Sequence, residues 1–424
     1  SFMAHHSGMG LCALINFLYS GFVRKCFTSD RRISAVKVLL EEKMPAGVLP
    51  IKQKSESEKP KIQRGEYVRE FMAPQIQQEE VLFIPSGQMT VRASSRGDIK
   101  VYYKNKLTGE VFVYIQDEKI SSAGFLPVGD TSGKYRCEFR PGSAKYVCLR
   151  ESGSNTLEVF ASGETAVIRV NCESAKTKNK RVAAVFIPVL NDEKAYLSHP
   201  AFNGLFTECG KIHWGVRFRN RKTEESINVY SLSETENVAT DSLSVFGRGK
   251  GTERPNLEGK FMRYPINPCG ALYVSKTVQS GETEEFDFVI SPFNAVKTKA
   301  AVNLYFSRGK NDAAALADAY ELSPVSWKNA QKLNALAQND GKASLGEAKK
   351  DALWKYGISD EKPELLIKAD ENCTGLNENL KMCAYCLACG ADFNIIVAQD
   401  TVKDYMLREY NSCEEIISSF GARE

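Results

Sequence analysis

Short apolar runs separated by turn residues fill the middle of the chain, from about residue 81 to about residue 308. Each run is rich in β-branched and aromatic residues, and no long helical period interrupts the series. The first runs read QMTVRA, DIKVYY, EVFVYI, KYRCEF, KYVCLR, TLEVFA and TAVIRVNC, with a glycine between successive runs. Runs at roughly ten-residue spacing indicate an antiparallel sandwich or barrel. We therefore expect a large two-sheet antiparallel β-sandwich over residues 81–308.

One run, RVAAVFIPVLN at residues 181–191, suits a strand that is buried on at least one face. We expect it to lie centrally in a sheet. Two turn signals follow it, His199-Pro200 and Asn203-Gly204, so the next segment does not continue as a plain strand. The apolar residues that we expect to anchor this loop against the sandwich are Phe202, Leu205 and Phe206.

Helical patterns precede the β region. Residues 9–18 predict a nearly all-round apolar helix with His5 and His6 at its entry, which is typical of a buried helix. A second helix is predicted from Asp30 to Lys43. Residues 46–80 are rich in Pro, Lys, Glu and Gln, so we expect a solvated linker there.

The C-terminal part, residues 309–424, starts with a helical linker and then alternates between strand and helix patterns. The predicted order is strand Pro363–Lys368, helix Glu378–Cys389, strand Phe393–Ala398 and helix Val402–Phe420. A β-α-β-α order indicates a small α/β unit. Because no GxGxxG motif occurs in it, we expect no nucleotide site there.

Composition limits the possible partners of the chain. With 424 residues it is long enough for two or three domains, and 56 Lys and Arg nearly balance 52 Asp and Glu. The net charge of +4 gives no general attraction to nucleic acid or to an anionic membrane, so neither is predicted as a partner. The most apolar stretch, Leu11–Val23, is shorter than the roughly 20 residues that span a bilayer. No signal peptide is recognisable and the twelve cysteines are scattered, so we expect reduced thiols in a cytoplasmic setting.

Cys383, Cys386 and Cys389 form a double CxxC spacing that has two interpretations. The spacing could start a zinc or iron–sulfur site. It also fits a helix in which cysteine acts as a small hydrophobe, with Gly390 as the C-cap. Because no fourth ligand is near in sequence, we favour the helix and predict neither a metal nor a cofactor.

A basic, glycine-rich loop at residues 246–252 carries Arg248 and Lys250. Its backbone amides and two cations could hold a phosphate or contact a sugar. The loop lacks the Lys-Ser/Thr ending and the following helix of a nucleotide P-loop. Tryptophan can stack on sugars but is more often a core or interface residue, and the three tryptophans here are Trp214, Trp327 and Trp354.

The string FMAHHSGMG, together with the helices after it, resembles the end of the glycoamylase-like domain of bacterial cyclic β-1,2-glucan synthases. That family typically has Gln where this chain has Ser7. The resemblance implies that residues 1–45 are the last helices of an α/α-toroid. It also implies that His5 and His6 are the remnant of a site whose other residues lie upstream.

Three further strings, HPAFNGLF, FGRGKGTERPNLE and NPCGALYVSKTVQSGETEEFDFVIS, occur in the order found in the phosphorylase-like region of the same synthases. That region is similar to cellobiose and chitobiose phosphorylases of glycoside hydrolase family 94, and the match continues into the linker string ALWKYGISDEKPELLIK. The resemblance implies a super-sandwich fold that can form a homodimer. It also implies a full-length parent that associates with the inner membrane and acts on a β-glucan or gluco-oligosaccharide with inorganic phosphate. The substrate-binding candidates are His199, Trp214, Arg248 and Lys250.

An inverting phosphorylase needs a carboxylic acid that protonates the leaving oxygen while phosphate attacks the anomeric carbon. In the resembled family this acid comes from a toroid that would begin after Glu424. No Asp or Glu here stands in a motif for that acid, so we predict no catalytic residue and a fragment that is inactive alone. The alternatives are a self-contained carbohydrate-binding or adaptor protein, and a metal or redox protein that uses the three clustered cysteines.

Overall fold

The computed structural model describes residues 4–30, 33, 67–73, 79–191, 204–293, 312–337, 363–369 and 375–399. The chain divides into two compact units, Ser1–Gln63 and Arg64–Glu424. The described part of the first unit contains helices α1 (Ala4–Leu18) and α2 (Phe22–Thr28). None of the helices in the described residues is both long and apolar enough to cross a membrane.

Helix α1 confirms the first predicted helix but not its predicted burial, because most of its described apolar side chains are exposed to solvent. Phe17, for example, is 85% exposed. Helix α2 was not predicted; it begins after Gly21, whose φ of 81° is readily adopted by glycine. The second predicted helix, Asp30–Lys43, lies almost wholly outside the described residues.

Two antiparallel sheets form the body of the second unit. The nine-stranded sheet has the spatial order β1 (Arg69–Ala73), β7 (Lys134–Arg140), β8 (Ser143–Arg150), β9 (Gly153–Ser162), β10 (Thr165–Glu173), β17 (Thr283–Ser291), β14 (Ser226–Ser231), β13 (Gly215–Asn220) and β12 (Thr207–Ile212). The eight-stranded sheet has the order β15 (Asn237–Asp241), β16 (Pro268–Val278), β11 (Lys178–Pro188), β5 (Lys106–Gln116), β4 (Ile99–Tyr103), β3 (Met89–Ser94) and β2 (Val81–Ser86), with β6 (Ile120–Ser121) paired to β5. The predicted large antiparallel sandwich is confirmed. Strand β1 lies inside the segment predicted as linker, so the sheet begins earlier in the chain than expected.

Strand β11 is buried on both faces, and it pairs with β16 on one side and with β5 on the other. Val182, Ala184 and Phe186 point into the core between the sheets. Ala183 and Val185 point to the outer face of the eight-stranded sheet. That outer face is covered by helix α3 (Ser242–Phe246) and the segment after it, which supply Val245, Phe246 and Leu257. Burial on both faces explains why the run is apolar throughout instead of alternating.

Two glycines allow aromatic rings to lie directly on the backbone in the core. A Cβ on Gly109 of β5 would lie 2.3 Å from Cζ of Phe186, and one on Gly270 of β16 would lie 2.7 Å from Cζ of Phe218. The two rings also contact each other, with centroids 5.9 Å apart. A side chain at Gly109 would displace the ring on the neighbouring strand β11, and one at Gly270 would displace a ring of the opposite sheet.

The C-terminal elements confirm the predicted helical linker and the first part of the predicted α/β unit. They are α4 (Asp312–Ala319), α5 (Pro324–Ala337), β18 (Glu364–Ala369), α6 (Leu376–Ala388) and β19 (Asn394–Gln399). Strands β18 and β19 pair in parallel, as a βαβ unit requires. The predicted helix Val402–Phe420 lies outside the described residues.

Helix α5 covers the free edge of β2 through one buried side chain, Gln331. Its Oε1 accepts from the backbone N–H of Phe83 at 2.9 Å, and its Nε2 donates to the hydroxyl of Tyr385 on α6 at 3.0 Å. A sheet edge offers unpaired backbone groups that must be covered or solvated. Gln331 thus satisfies an edge N–H and ties the linker helix to both the sandwich and the α/β unit.

We expect Gln331→Met to lower the free energy of unfolding by about 1–3 kcal/mol, because the buried N–H of Phe83 loses its acceptor. Urea melts of the 424-residue chain measure this. Lys332→Met, the same substitution at the exposed neighbouring position of α5, is the control and should stay within about 0.5 kcal/mol of wild type. Equal effects of the two variants would show that Gln331 does not act through its hydrogen bonds.

Candidate functional site

The tryptophan predicted to bind sugar, Trp214, lies in the turn between β12 and β13. Its φ is 54°, its ring stacks on His213 with centroids 4.4 Å apart, and it is half-buried. Its carbonyl oxygen accepts from the N–H of Ser231 at 2.9 Å. These contacts fix Trp214 in position at the edge of the nine-stranded sheet.

The glycine-rich loop with Arg248 and Lys250 lies over the outer face of the other sheet. The hydroxyl of Tyr114 on β5 donates to the carbonyl of Thr252 at 2.7 Å, which holds the loop down. Arg248 is exposed, whereas Nζ of Lys250 donates to Oδ1 of Asn256 at 2.8 Å. The predicted basic loop is present. It lies on the eight-stranded sheet, whereas Trp214 lies at the edge of the nine-stranded sheet.

No described contact joins the other predicted site residues to Trp214 or to the glycine-rich loop. His199 and Trp354 lie outside the described residues. His5 and His6 lie in the first turn of α1, in the other compact unit, and their side chains are outside the described part. Trp327 is a core residue on α5, with its ring edge-on to that of Tyr67.

The predicted anchoring of the loop after β11 is wrong for the residues that the structure describes. Leu205 is 56% exposed and Phe206 is 40% exposed, so neither side chain is buried against the sandwich. Hydrogen bonds to backbone carbonyls hold this segment instead. The guanidinium of Arg221 donates to the carbonyl of Leu205, and the backbone N–H of Arg221 donates to the carbonyl of Phe206. Phe202 lies outside the described residues.

These exposed residues border a charged and aromatic surface, which we call the Tyr264 platform (Glu208, Arg219, Arg221, Arg263 and Tyr264). The segment carrying Arg263 runs beside the edge strand β12, and the N–H of Cys209 donates to the carbonyl of Arg263 at 2.8 Å. The carboxylate of Glu208 accepts from Nε of Arg263 at 2.8 Å. The guanidinium groups of Arg221 and Arg263 lie 5.3 and 5.4 Å from the ring centroid of Tyr264.

Strand alternation places these charges on the outer face of the sheet. Cys209 and Phe218 point into the core, so their neighbours Glu208 and Arg219 point outward, and the two are direct cross-strand partners. The carboxylate of Glu208 also lies 3.9 Å from Nη1 of Arg219. The platform thus follows from the register of β12 and β13.

The arginines determine the chemistry of Glu208. The hydrogen bond from Arg263, with the charges of Arg263 and Arg219, lowers the pKa of Glu208. An ionised carboxylate accepts hydrogen bonds but cannot protonate a leaving group. The platform therefore offers guanidinium donors, a carboxylate acceptor and the exposed apolar surface of Tyr264, a combination suited to binding a polyhydroxylated ligand.

Sequence reasoning missed this platform, although one signal was present. The string GVRFRNR places Arg217, Arg219 and Arg221 at alternating positions, which puts three cations on one face of a strand and its turn. Tyr264 and Glu208 stand in no motif, so only the tertiary structure associates them with the arginines.

The clustered cysteines belong to helix α6 and to its end, as the favoured interpretation predicted. Cys386 donates its S–H to the carbonyl of Ala330 at 3.2 Å. Burial raises the pKa of Cys383 to about 11 and of Cys389 to about 12, so these thiols stay protonated at neutral pH. Within the described residues, no group of three or more potential ligands could hold a metal ion.

A second carboxylate cluster lies on the outer face of the nine-stranded sheet. Arg169 donates to both carboxylate oxygens of Asp287, at 2.9 and 3.1 Å, and its Nη2 lies 2.9 Å from Oε1 of Glu285. Burial and the charge of Asp287 raise the pKa of Glu285 to about 7. A raised pKa is what a general acid needs, but here both carboxylates are ion-paired with Arg169, which indicates a cross-strand structural pair.

Comparison with known proteins adds a family match to this geometry. The family model described as "Glycosyl hydrolase 94, supersandwich domain" matches residues 104–321, about half of the chain. The matched range includes the Tyr264 platform, the glycine-rich loop and both sheets, except strands β1 to β4.

A curated protein is also similar to this chain: the cyclic beta-(1,2)-glucan synthase NdvB of Rhizobium meliloti (strain 1021) is 25% identical over 287 residues. The match covers 59% of this chain but only 10% of the synthase.

Solved structures with partial similarity include a bacterial glucoamylase bound to acarbose, with 10% identity, a TM-score of 0.39, and coverage of 62% of this chain and 43% of that one. A galactose mutarotase related enzyme from Lactobacillus acidophilus has 10% identity, a TM-score of 0.29, and coverage of 50% of this chain and 96% of that one. Similarities at this level do not indicate a shared site.

The carboxylate cluster makes a prediction about pH. Because the folded state binds the proton of Glu285 more tightly than the unfolded state, stability should fall as pH rises from about 4.5 to about 7 and then level off. After allowance for solvent screening, Glu285 contributes on the order of 1 kcal/mol to this fall in the free energy of unfolding. Urea melts at pH 5 and pH 8 should show a smaller fall for Glu285→Gln than for wild type. The control is Glu284→Gln, and an unchanged pH dependence in Glu285→Gln would contradict the assignment.

Proposed function

The chain belongs to the glycosyl hydrolase 94 family through its supersandwich domain, and we propose that it supplies the β-sandwich that shapes a β-glucan site in a larger enzyme. The family match over the sandwich carries this proposal. It is supported by the similarity to a cyclic beta-(1,2)-glucan synthase, of which this chain spans only about a tenth. In this proposal the catalytic toroid lies outside the 424 residues.

The proposal assigns a role to each region of the chain. Residues 1–45, with His5 and His6, are the end of a glycoamylase-like toroid, and residues 46–80 are largely linker that passes into β1. Residues 81–308 are the carbohydrate-facing sandwich, and residues 309–424 are the helical and α/β linker region. The whole protein would use inorganic phosphate and a β-glucan or gluco-oligosaccharide, and could form a homodimer through the sandwich.

The carboxylates support a binding role over a catalytic role. Glu208 is held ionised by Arg263, and Glu285 is ion-paired with Arg169 on an outer sheet face. Neither is placed as the free, protonated acid that cleavage of a glycosidic bond requires. The Tyr264 platform, by contrast, presents fixed donors, a fixed acceptor and apolar surface, which bind a sugar without transferring a proton.

Within this function, the Tyr264 platform is the principal sugar contact that we propose on the sandwich. Glu208 of the platform follows His199 closely along the chain, so His199 stays a proposed sugar contact. Trp214 and the Arg248 and Lys250 loop remain proposed as additional contacts, because each is at least partly accessible to solvent.

We expect Tyr264→Ala to weaken binding of β-1,2-gluco-oligosaccharides at least about fivefold, since stacking and ring contacts of this size contribute about 1 kcal/mol. Isothermal titration of the 424-residue chain measures the affinity. Tyr264 is 53% exposed, so its removal should not unfold the protein.

The matched control for Tyr264→Ala is Leu149→Ala, which truncates an exposed apolar side chain on β8 of the same sheet. Trp214→Ala and Arg248→Ala form two further arms. If those two variants lose binding while Tyr264→Ala keeps it, the sugar contact lies at the originally predicted residues and not at the platform.

The chain alone should not phosphorolyse glucans, because a missing general acid alone removes about 10²–10⁴-fold of the rate. The assay incubates the purified chain with β-1,2-gluco-oligosaccharides and inorganic phosphate and measures glucose 1-phosphate. A known β-glucan phosphorylase added to a parallel reaction shows that the assay detects product. Sustained release above a heat-killed control would overturn the assignment of catalysis to residues outside this chain.

A further inference from the structure

A cavity of about 260 Å³ opens at one end of the sandwich. Three elements form its wall: the β4–β5 hairpin of the eight-stranded sheet, the residues that follow β11, and the turn and start of β14 in the nine-stranded sheet. We call it the hairpin cavity. The β13–β14 turn contributes Glu225 to the cavity and Arg221 to the Tyr264 platform, so the two sites are neighbours but distinct.

The floor of the hairpin cavity is apolar and its rim is charged. Leu107, Val189, Leu190 and Ile227 are buried and supply the floor. At the rim, Nζ of Lys106 lies 4.0 Å from Oε1 of Glu225. Nζ of Lys104 lies 5.4 Å from the ring centroid of Tyr103, and Ser226 also lines the cavity.

Hydrogen bonds hold the wall of the cavity in place without a ligand. The buried side-chain amide of Asn220 donates to the carbonyl of Leu190 at 2.9 Å and to Oδ1 of Asn191 at 2.6 Å. The N–H of Val189 donates to the carbonyl of Thr108 at 2.6 Å. The residues after β11 are thus hydrogen-bonded both to β5 and to the end of β13, so the cavity is preformed, as ligand sites usually are.

We propose that the hairpin cavity binds one neutral pyranose residue. A sugar ring presents a C–H face to an apolar floor and hydroxyls that both donate and accept, which matches a rim with two ammonium groups and a carboxylate. A phosphate would face the Glu225 carboxylate, and a hydrocarbon would leave Lys106 and Glu225 desolvated. The volume is below the roughly 300–1,000 Å³ of drug-sized ligand sites, so it fits one ring and not a chain.

This site goes beyond the proposed function, because it does not depend on the Tyr264 platform being a glucan contact. The floor residues make a direct measurement possible. Leu107, Val189, Leu190 and Ile227 line the cavity and carry methyl groups, so methyl NMR spectra of the full chain report on its occupancy.

The experiment titrates the full chain with methyl β-D-glucopyranoside and follows these methyl signals. We expect saturable shifts with a Kd in the millimolar range, which is typical of so small a ligand. Lys106→Gln should weaken binding at least about threefold, because a shorter, neutral amide replaces the charged ammonium donor at the rim.

The control variant is Lys119→Gln, which changes an exposed lysine in the turn at the far end of β5 and should leave the affinity unchanged. Inorganic phosphate and glucose 1-phosphate are titrated in parallel. Absence of floor-methyl shifts, equal affinity in Lys106→Gln and wild type, or tighter binding of phosphate than of the glycoside would each overturn the proposal. Tyr264→Ala should keep the cavity shifts, so failure of the platform and failure of the cavity give different results.

Discussion

The burial of strand β11 on both faces is the constraint on which the rest of the structure depends. Its inner side chains fill the core between the sheets, and Ala183 and Val185 require a second cover on the outer face. The segment after β15 provides that cover, and Arg181 fastens it by stacking on Tyr273 at 4.2 Å and by donating to the carbonyl of Leu257 at 3.4 Å. A strand with one solvated face would not need this segment.

The same constraint positions the candidate sites. The chain leaves β11 at the wall of the hairpin cavity, and it returns from the outer cover through Arg263 and Tyr264 to the start of β16. Both sites therefore lie where chain enters or leaves the doubly buried strand pair β11 and β16. Rigid strands that present loops at their ends are a common arrangement for binding sites.

Charge pairing determines which of these two carboxylates holds a proton near neutral pH. Glu208 is surrounded by arginines and remains an acceptor, whereas Glu285 has a raised pKa but shares Arg169 with Asp287. The carboxylate that is accessible at the platform is ionised, and the one that can be protonated near neutral pH is tied into a sheet surface. This division supports the proposed role of the sandwich, which is to bind a sugar and not to transfer a proton.

The sequence by itself determined the sandwich, the central strand at residues 181–191, the strand–helix–strand order of the C-terminal unit and the helical setting of Cys383 and Cys386, because these follow from local alternation and periodicity. Tertiary structure alone decided that β1 joins the sheet and that Phe206 is exposed. It also decided that Tyr264 meets Arg221 and that Glu225 faces Lys106. The physical reason is that pairing register and the cover of an outer sheet face join residues far apart in the chain, and no local pattern encodes which of them meet.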